Sequence, residues 1–302
     1  MALIALKIDV DTWRGTREGV PPLVSALQRH RAGATFLFSL GPDHTGRAIR
    51  RVFRPGFFGK VSRTSVVEHY GVRTLLYGTL LPGPDIGRKE SALLRSVAQS
   101  GFETGVHTWD HVRWQDGVSG ANESWTQAEL QRATDRYTEV FGEGPKVHGA
   151  AGWQMNEAAY RMEGALGYTL ASDGRGHSPY WPADSQGNVL GPLQLPTTLP
   201  TLDELIGLDG WDAHSVHQAL LQHTAREDFS LHVYTLHAEL EGQKLLPVFE
   251  RLLQGWRDQG HELVSLGQAA GRLNTLDIAK CRVDEGSVPG RSGTLAIQGR
   301  EV

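Results

Sequence analysis

Residues Leu3–Glu18 read Leu-Ile-Ala-Leu-Lys-Ile-Asp-Val-Asp-Thr-Trp-Arg-Gly-Thr-Arg-Glu. The apolar run at the start of this stretch predicts a strand buried on both faces, yet the run ends in two carboxylates, Asp9 and Asp11. Alternate residues of a strand point to the same side, so both carboxylates can reach one centre. They can bind a cation or divide the work between a ligand and a base. Alternatively, they cap the helix that follows.

The composition is that of a globular protein. The chain has 302 residues, of which 39% are hydrophobic and 21% charged, so we expect one domain with a sizeable core. The single cysteine, Cys281, excludes an internal disulfide. There is no leader-like segment before the first strand and no apolar run of the roughly 18 residues that a membrane span requires. These features predict a cytoplasmic protein.

Positive charge is concentrated in one segment of a chain whose net charge is -4. Between Arg47 and Gly78 there is one acid, Glu68, among seven basic residues: Arg47, Arg50, Arg51, Arg54, Lys60, Arg63 and Arg73. Phenylalanine, valine and leucine residues, Phe57 and Phe58 among them, are interleaved with these cations, and Leu80 and Leu81 follow shortly after. The segment is therefore predicted to face an anionic partner.

Predicted strands and helices alternate along most of the chain. The first strand is followed by a predicted helix at 20–30 and a strand at 34–40, which together form a βαβ unit. About eight such strands predict an α/β fold, a single distorted seven- or eight-stranded (β/α) barrel over residues 1–275. Residues 44–87 interrupt the alternation and are predicted to be an insertion. Residues 276–302 are rich in glycine and are predicted to be a flexible C-terminal tail.

Polar residues gather where predicted strands end, which is where barrels of this type carry their active sites. They are Asp9, Asp11, His107, His111, Asp173 and His237. The i, i+4 spacing of His107 and His111 lets two imidazoles share a metal, although a chance pair is not rare among 13 histidines. The glutamate of a His-Glu-x-x-His zinc site is missing between them.

Asp11 would complete a set of two histidines and one carboxylate with positions open for water. Asp9 would then be available as a general base. His237, at the end of a late strand, is suited to protonate a leaving amine. The alternative for His237 is a buried, hydrogen-bonded core histidine.

Three short motifs together resemble the signature of the polysaccharide deacetylase, or NodB-homology, family of metal-dependent amide hydrolases: Ile8–Asp11, His107–His111 and Leu236–His237. The resemblance extends from about Leu3 to Leu273. Longer strings are similar to one branch of the family, the deformylases of 4-deoxy-4-formamido-L-arabinose phosphoundecaprenol in lipid A modification. These strings are Asp9–Gly19, Ala150–Trp153, Ser172–Gly176, Leu199–Glu204 and Thr235–Gly242.

The resemblance implies a role for each matching residue. It implies Asp9 as general base, His237 as general acid, and Asp11, His107 and His111 as ligands of a divalent metal. Two imidazoles and a carboxylate do not distinguish Zn, Mn, Co and Fe.

The third family motif differs in this chain. The common pattern has an arginine and a Pro-Tyr pair where this sequence has Gly149-Ala-Ala-Gly-Trp153. We therefore predict that Arg175 orients Asp9 instead, and that backbone N–H groups near Ala151 stabilise the oxyanion. Trp153 and Asp173 are further candidates for binding or orienting the substrate. Arg14 and Arg17 are candidates for contacting the sugar phosphate, or else they pair with surface acids.

A substrate carried on a polyprenyl phosphate would suit the basic insertion. The predicted partners are this lipid-linked sugar and the anionic lipid of the inner face of the inner membrane, with residues 44–87 as a membrane-facing lid. The alternative is a solvated surface excursion. Nucleic acid fits poorly with the acidic net charge.

Two other functions remain open at this point. One is deacetylation of an N-acetylated polysaccharide by the same family, and the other is a non-catalytic carbohydrate- or lipid-binding protein. A dinucleotide oxidoreductase is excluded because no glycine-rich turn follows the first strand.

Overall fold

The computed structural model describes residues 2–48, 71–225 and 230–302. The strands in chain order are β1 (Leu3–Val10), β2 (Thr35–Ser39), β3 (Glu103–Thr108), β4 (Val147–His148), β5 (Leu170–Ala171), β6 (Trp181–Pro182), β7 (Leu193–Gln194), β8 (Leu231–His237), β9 (Glu262–Val264), β10 (Lys280–Gly286) and β11 (Leu295–Glu301). The helices are α1 (Val20–Arg29), α2 (Ile86–Lys89), α3 (Ser91–Gln99), α4 (His111–Gly117), α5 (Glu123–Phe141), α6 (Glu157–Ala165), α7 (Leu202–Leu205), α8 (His217–Thr224), α9 (Leu246–Asp258) and α10 (Leu266–Ala270).

The main sheet is parallel, and β1 lies between β2 and the edge strand β8. Its order is β7-β5-β4-β3-β2-β1-β8, and β9 pairs with the first residues of β1. The segment that follows β7 meets β8 through irregular hydrogen bonds: the Thr198 N–H donates to the Val233 carbonyl at 3.1 Å, and the Val233 N–H donates to the Thr198 hydroxyl at 2.9 Å. The sheet is thus a curled, incompletely closed barrel, which confirms the predicted fold class.

The two faces of β1 have different surroundings. Ile4, Leu6 and Ile8 pack into the larger apolar core, which also contains residues of α1 and α9. Ala5, on the opposite face, packs with residues of neighbouring strands inside the barrel. Because side chains alternate along a strand, residues 5, 7, 9 and 11 follow the same inward-facing line. The barrel interior therefore carries the charged residues at the end of β1.

Helix boundaries follow local capping chemistry. The Asn122 side chain accepts a hydrogen bond from the Trp125 N–H at 2.9 Å at the start of α5, and Gly142 ends the helix with φ 81°. The predicted helix at 20–30 and strand at 34–40 correspond to α1 and β2. Local sequence periodicity was sufficient to predict these two elements.

The prediction of a flexible tail over 276–302 is wrong. Strands β10 and β11 form an antiparallel hairpin, and β6 adds to β10 to make a second sheet of three strands. Leu295 and Ala296 are buried in it. Glycines in this segment serve the turn of the hairpin, where Gly290 and Gly293 both have φ 81°, so they do not indicate disorder. The folded unit accordingly extends beyond the predicted limit at residue 275.

The centre of the predicted insertion at 44–87, residues 49–70, lies outside the described residues. Both of its described ends return to one place, since the Asp43 N–H donates to the Pro84 carbonyl at 2.9 Å. Tyr77 is buried and contacts Trp13 edge to face, with ring centroids 6.1 Å apart. Within the described residues, no helix combines the length and the apolar character needed to cross a bilayer.

Candidate active site

The end of β1 brings two carboxylates into the barrel mouth. Asp9 lies in register with His237 of β8, and both Asp9 and Asp11 are buried. Beyond β1, Glu239 accepts hydrogen bonds from the N–H groups of Asp11 at 3.1 Å and Thr12 at 2.8 Å. The Thr12 hydroxyl accepts a hydrogen bond from the Gly15 N–H at 2.9 Å. Thr12 therefore stabilises the helical turn that follows β1. Asp9 and Asp11 both face the barrel mouth.

Asp11, His107 and His111 form a group that could hold a metal ion. One Asp11 oxygen, Oδ1, lies 3.2 Å from His107 Nε2 and 3.5 Å from His111 Nε2. One ligand atom of each residue lies within 4.8 Å of the others. His107 ends β3 and His111 begins α4, so a strand end and a helix start supply the pair.

The hydrogen bonding of His107 favours a metal-binding tautomer. Its Nδ1 lies 2.6 Å from the Gly149 carbonyl oxygen, which can only accept a hydrogen bond, so Nδ1 carries the proton. With the proton on Nδ1, Nε2 is the nitrogen that can bind a metal, and it faces the Asp11 carboxylate. Asp11 Oδ1 is buried without a hydrogen-bond partner in the described part of the chain. A positive ion between His107 Nε2 and Asp11 Oδ1 would give each of these atoms a partner, so the residues fit a divalent metal.

The charge of Asp11 depends on these neighbours. Burial by itself would raise the pKa of Asp11, but the adjacent His111 and His107 outweigh it and hold that pKa well below its usual range. Asp11 is therefore a carboxylate at neutral pH, as a metal ligand must be.

His237 lies on the opposite side of the same mouth. Its backbone N–H donates to Glu241 at 2.9 Å, and its ring packs edge to face on Trp153 with centroids 6.4 Å apart. Burial lowers the pKa of His237, but Asp11, followed by other carboxylates of the site, raises it above the usual value overall. An imidazole that holds its proton near neutrality can act as an acid.

Lys7 is a functional candidate that sequence reasoning missed. It is fully buried, and its Nζ lies 3.2 Å from Asp9 Oδ2 and 5.3 Å from the centre of the Trp153 ring. Gly149 leaves room for it, since a Cβ there would lie 2.8 Å from the Lys7 Cε. The sequence did contain a signal: one lysine in an otherwise apolar strand, two residues before Asp9 and therefore on the same face.

The prediction that Arg175 orients Asp9 is wrong. Its guanidinium donates to both carboxylate oxygens of Glu204, at 2.7 and 3.0 Å, and to the Leu199 carbonyl at 3.1 Å. A buried arginine paired in this bidentate way is committed to that partner. The cation beside Asp9 is Lys7 instead.

Asp173 belongs to a fully buried network and has no exposed surface with which to bind a substrate directly. One of its oxygens, Oδ1, lies 2.7 Å from His148 Nδ1 and accepts a hydrogen bond from the Ala150 N–H at 2.9 Å. Glu163 lies 2.6 Å from the same His148 nitrogen. The network holds the backbone just after Gly149, whose carbonyl binds His107.

His148, Glu163 and Asp173 are a second group that could hold a metal. The contact of His148 with Asp173 is a hydrogen bond, and Glu163 lies 2.6 Å from the same nitrogen without the geometry of one. Burial tends to lower the pKa of His148, but Asp173 and then Glu163 raise it to about 10. Burial raises the pKa of Glu163 to about 8. Sequence reasoning missed His148 and Glu163 because only the fold brings β4 and α6 together.

Ala151 and Trp153 lie in a tight turn that lines the mouth. Gly152 and Trp153 both have positive φ, 63° and 54°. Trp153 is buried, and its indole N–H donates to the Thr197 hydroxyl at 3.1 Å. Trp153 thus forms a fixed wall between Lys7 and His237.

Arg14 and Arg17 both lie near acids. Arg14 Nε lies 2.8 Å from Glu18, and Arg17 Nε lies 3.7 Å from Glu90. The Arg17 guanidinium also stacks over the Trp13 ring at 4.6 Å. Contact of either arginine with a substrate phosphate stays a prediction.

Residues 3–171 match the model of a protein family described as polysaccharide deacetylase. Two relatives carry the name "probable 4-deoxy-4-formamido-L-arabinose-phosphoundecaprenol deformylase ArnD". The protein of Shewanella sediminis (strain HAW-EB3) is 37% identical over 295 residues, which cover 98% of this chain and 94% of the relative. The protein of Wigglesworthia glossinidia brevipalpis is 29% identical over 286 residues, or 94% of this chain and 98% of the relative.

Solved structures of proteins assigned as polysaccharide deacetylases share the fold. A Mycobacterium smegmatis protein superposes with a TM-score of 0.65 at 17% identity, over 95% of each chain. A Pseudomonas aeruginosa PAO1 protein gives a TM-score of 0.57 at 14% identity, over 88% of this chain and 87% of the other. The family match over more than half of the chain, with the 37% identity to a relative along nearly all of it, shows that this chain belongs to the polysaccharide deacetylase family.

Proposed function

We propose that the protein hydrolyses the formamide of 4-deoxy-4-formamido-L-arabinose phosphoundecaprenol, releasing formate and the 4-amino sugar. The observation that carries the proposal is the group of Asp11, His107 and His111 in a barrel mouth that also contains Asp9 and His237. Similarity in length and sequence to relatives named as this deformylase supports the choice of substrate.

Asp11, His107 and His111 would hold a divalent ion, for which Zn, Mn, Co and Fe are all suitable. When bound, such an ion lowers the pKa of a water molecule to about 7 and polarises the formyl oxygen. Asp9 accepts the proton of the attacking water, and Lys7 holds that carboxylate in position. As the new C–O bond forms, N–H groups near Ala151 donate to the oxyanion. The C–N bond then breaks, and the proton of His237 passes to the departing amine nitrogen.

The product explains why removal of so small a group matters. The formamide is neutral, whereas the freed amine is protonated at neutral pH. Transferred to lipid A, this ammonium would offset negative charge and weaken the binding of cationic antimicrobial peptides.

The protein is further proposed to work at the inner face of the inner membrane, with the 44–87 segment facing anionic lipid. Three large apolar side chains on the described part of this segment are exposed: Val72 by 64%, Leu80 by 81% and Leu81 by 36%. The root of the segment contacts the site, since His44 Nδ1 lies 2.6 Å from Asp110, whose side chain caps the start of α4. Each basic residue near anionic lipid contributes on the order of 1 kcal/mol.

The substrate proposal is tested by offering a formamido-arabinose phosphopolyprenol and its acetamido analogue to the enzyme before and after chelation and remetallation. We expect formate release that disappears with chelation and returns with metal, and little acetate release. Preferential release of acetate would indicate an N-acetyl-sugar deacetylase. Binding of both compounds without any turnover by the metal-loaded protein would indicate a non-catalytic binding protein.

Membrane association is tested separately by flotation with anionic and neutral liposomes. The protein should float with anionic vesicles, and neutralising Arg50, Arg51 and Arg54 should weaken this. A control that neutralises Arg29, Arg161 and Arg272, whose exposed side chains pair with acids elsewhere, should float like the wild type. Absence of flotation, or equal loss in both triple variants, would refute the membrane proposal.

A further inference from the structure

The C-terminal hairpin places an arginine beside Trp153, which forms a wall of the site. The Cζ atom of Arg291, in the turn between β10 and β11, lies 4.3 Å from the centre of the Trp153 ring. The Gln154 side chain donates to the Thr294 carbonyl at 2.5 Å, which ties the same turn to the barrel. Gly290 has φ 81°, and a Cβ there would lie 2.4 Å from the Glu204 carbonyl oxygen. A glycine is thus required for the approach that places Arg291.

Arg291 is held less tightly than Arg175 on this wall. Glu204 is already bound by Arg175 through two hydrogen bonds of 2.7 and 3.0 Å. The nearest Arg291 nitrogen is farther from the same carboxylate, at 3.4 Å. Two guanidinium groups therefore share one carboxylate, and Arg175 makes the closer pair.

Arg291 is also the cation of this wall that a ligand can reach. Lys7 and Arg175 also lie over the Trp153 ring, at 5.3 and 5.2 Å, but they are buried and paired with Asp9 and Glu204. The Arg291 side chain retains 15% exposure at the edge of the mouth. A partly exposed guanidinium over an aromatic ring is well suited to bind phosphate oxygens.

The position matches the two ends of the proposed substrate. His237, the proposed acid, and Arg291 both lie beside Trp153, with the His237 ring centroid at 6.4 Å and the Arg291 Cζ at 4.3 Å from the centre of the indole ring. In a pyranose, the anomeric carbon that bears the phosphate lies across the ring from C4, which bears the formamide. With the formamide at the group of Asp11, His107 and His111, the phosphate extends across the mouth, and Arg291 is the partly exposed guanidinium beside the Trp153 wall.

We propose that Arg291 binds the anomeric phosphodiester of the lipid-linked sugar and is a specificity-determining residue. This inference depends on the proposed function, because it assigns one end of that substrate. It places phosphate recognition on the C-terminal hairpin, beyond the 3–171 span of the family match.

The test compares two substrates that differ only in the phosphate. One is 4-formamido-4-deoxy-arabinose joined to farnesol through a phosphodiester, and the other is the same sugar joined to farnesol directly. Arg291→Gln should raise KM for the phosphodiester about tenfold to a hundredfold, leave kcat within about twofold, and not change KM for the glycoside. Arg291→Lys should recover part of the loss. Arg282→Gln, which removes a half-exposed arginine of the same hairpin, should behave like the wild type.

The possible outcomes distinguish the role of Arg291 from the proposed deformylase activity. Formate release with no difference in KM between Arg291→Gln and wild type, or with an equal rise for both substrates, would overturn the role of Arg291 and leave the deformylase intact. Failure of the wild type to release formate from either compound would overturn the proposed function itself.

A binding measurement without turnover completes the test. Calorimetry with farnesyl phosphate and with inorganic phosphate should show Arg291-dependent binding of the lipid phosphate and weaker binding of the free ion. Binding of farnesyl phosphate that is unchanged in Arg291→Gln would contradict the assignment.

Discussion

The ammonium of Lys7 lies 3.2 Å from Oδ2 of Asp9, and both side chains are buried on the inward face of β1. They are two residues apart in one strand, so strand geometry alone places them side by side. A fixed amino group beside this carboxylate holds it in one direction. This contact supports the proposed role of Lys7 in positioning Asp9 in place of the arginine of the family's common third motif.

Replacing Lys7 should damage both stability and turnover. Lys7→Met removes the cation but keeps similar bulk, leaving Asp9 buried and unpaired at a cost of about 3 kcal/mol. We expect kcat to fall about 100-fold through loss of alignment, with metal content unchanged. The double variant Lys7→Met/Asp9→Asn should recover part of the stability in chemical denaturation but none of the activity. Full turnover by Lys7→Met would exclude the positioning role.

Replacement of Asp9 or Asp11 by asparagine should distinguish the proposed general base from the proposed metal ligand. Asp9→Asn is expected to keep the metal and lose kcat by about 10²- to 10⁴-fold, because it removes the proton acceptor. Asp11→Asn is expected to lose the metal, since the carboxylate facing both imidazoles is gone. Metal analysis of the purified variants, alongside kcat, checks both. If Asp9→Asn also lost its metal, the assigned division of labour would be incorrect.

The buried network around His148 should make stability fall as the pH rises. The pKa of Glu163, raised by burial to about 8 from 4.5, means that its favourable contribution is complete below about pH 4.5 and is lost as the pH rises through 8. The pKa of His148, raised by Asp173 and Glu163 against the effect of burial, means that its contribution is complete below 6.5 and is lost as the pH rises through about 10. The melting temperature should therefore fall between pH 6 and pH 10.

Glu163→Gln tests the origin of that decline, because glutamine imitates the protonated acid and cannot ionise. Relative to the wild type, its melting temperature should rise by roughly 5 °C between pH 6 and pH 9. Glu157→Gln, at an exposed position of the same helix, should follow the wild type at each pH. Parallel curves for all three proteins would show that Glu163 does not titrate as described.

Two leucines distinguish a folded hairpin from a flexible tail. Leu295 is 3% exposed and Leu276 is 91% exposed. Leu295→Ala should lower the free energy of unfolding by about 2–3 kcal/mol, whereas Leu276→Ala should change it by less than about 0.5 kcal/mol. Denaturant titration of the two variants measures the difference. A tail without fixed structure would make both substitutions harmless.

Local patterns in the sequence were enough to predict the alternation of strands and helices, because periodicity and caps act over a few residues. They also located Asp9, Asp11, His107, His111 and His237 at strand ends. The carboxyl ends of parallel strands meet at one edge of a sheet, so residues distant in sequence could be predicted to converge.

The choice of partners was decided by the tertiary structure. Arg175 binds Glu204 instead of Asp9, and His148 meets Glu163 only because β4 packs beside α6. Docking of the C-terminal hairpin placed Arg291 on Trp153. A hydrogen bond or ion pair depends on distances of a few ångströms between segments far apart in the chain, and no local pattern encodes those distances.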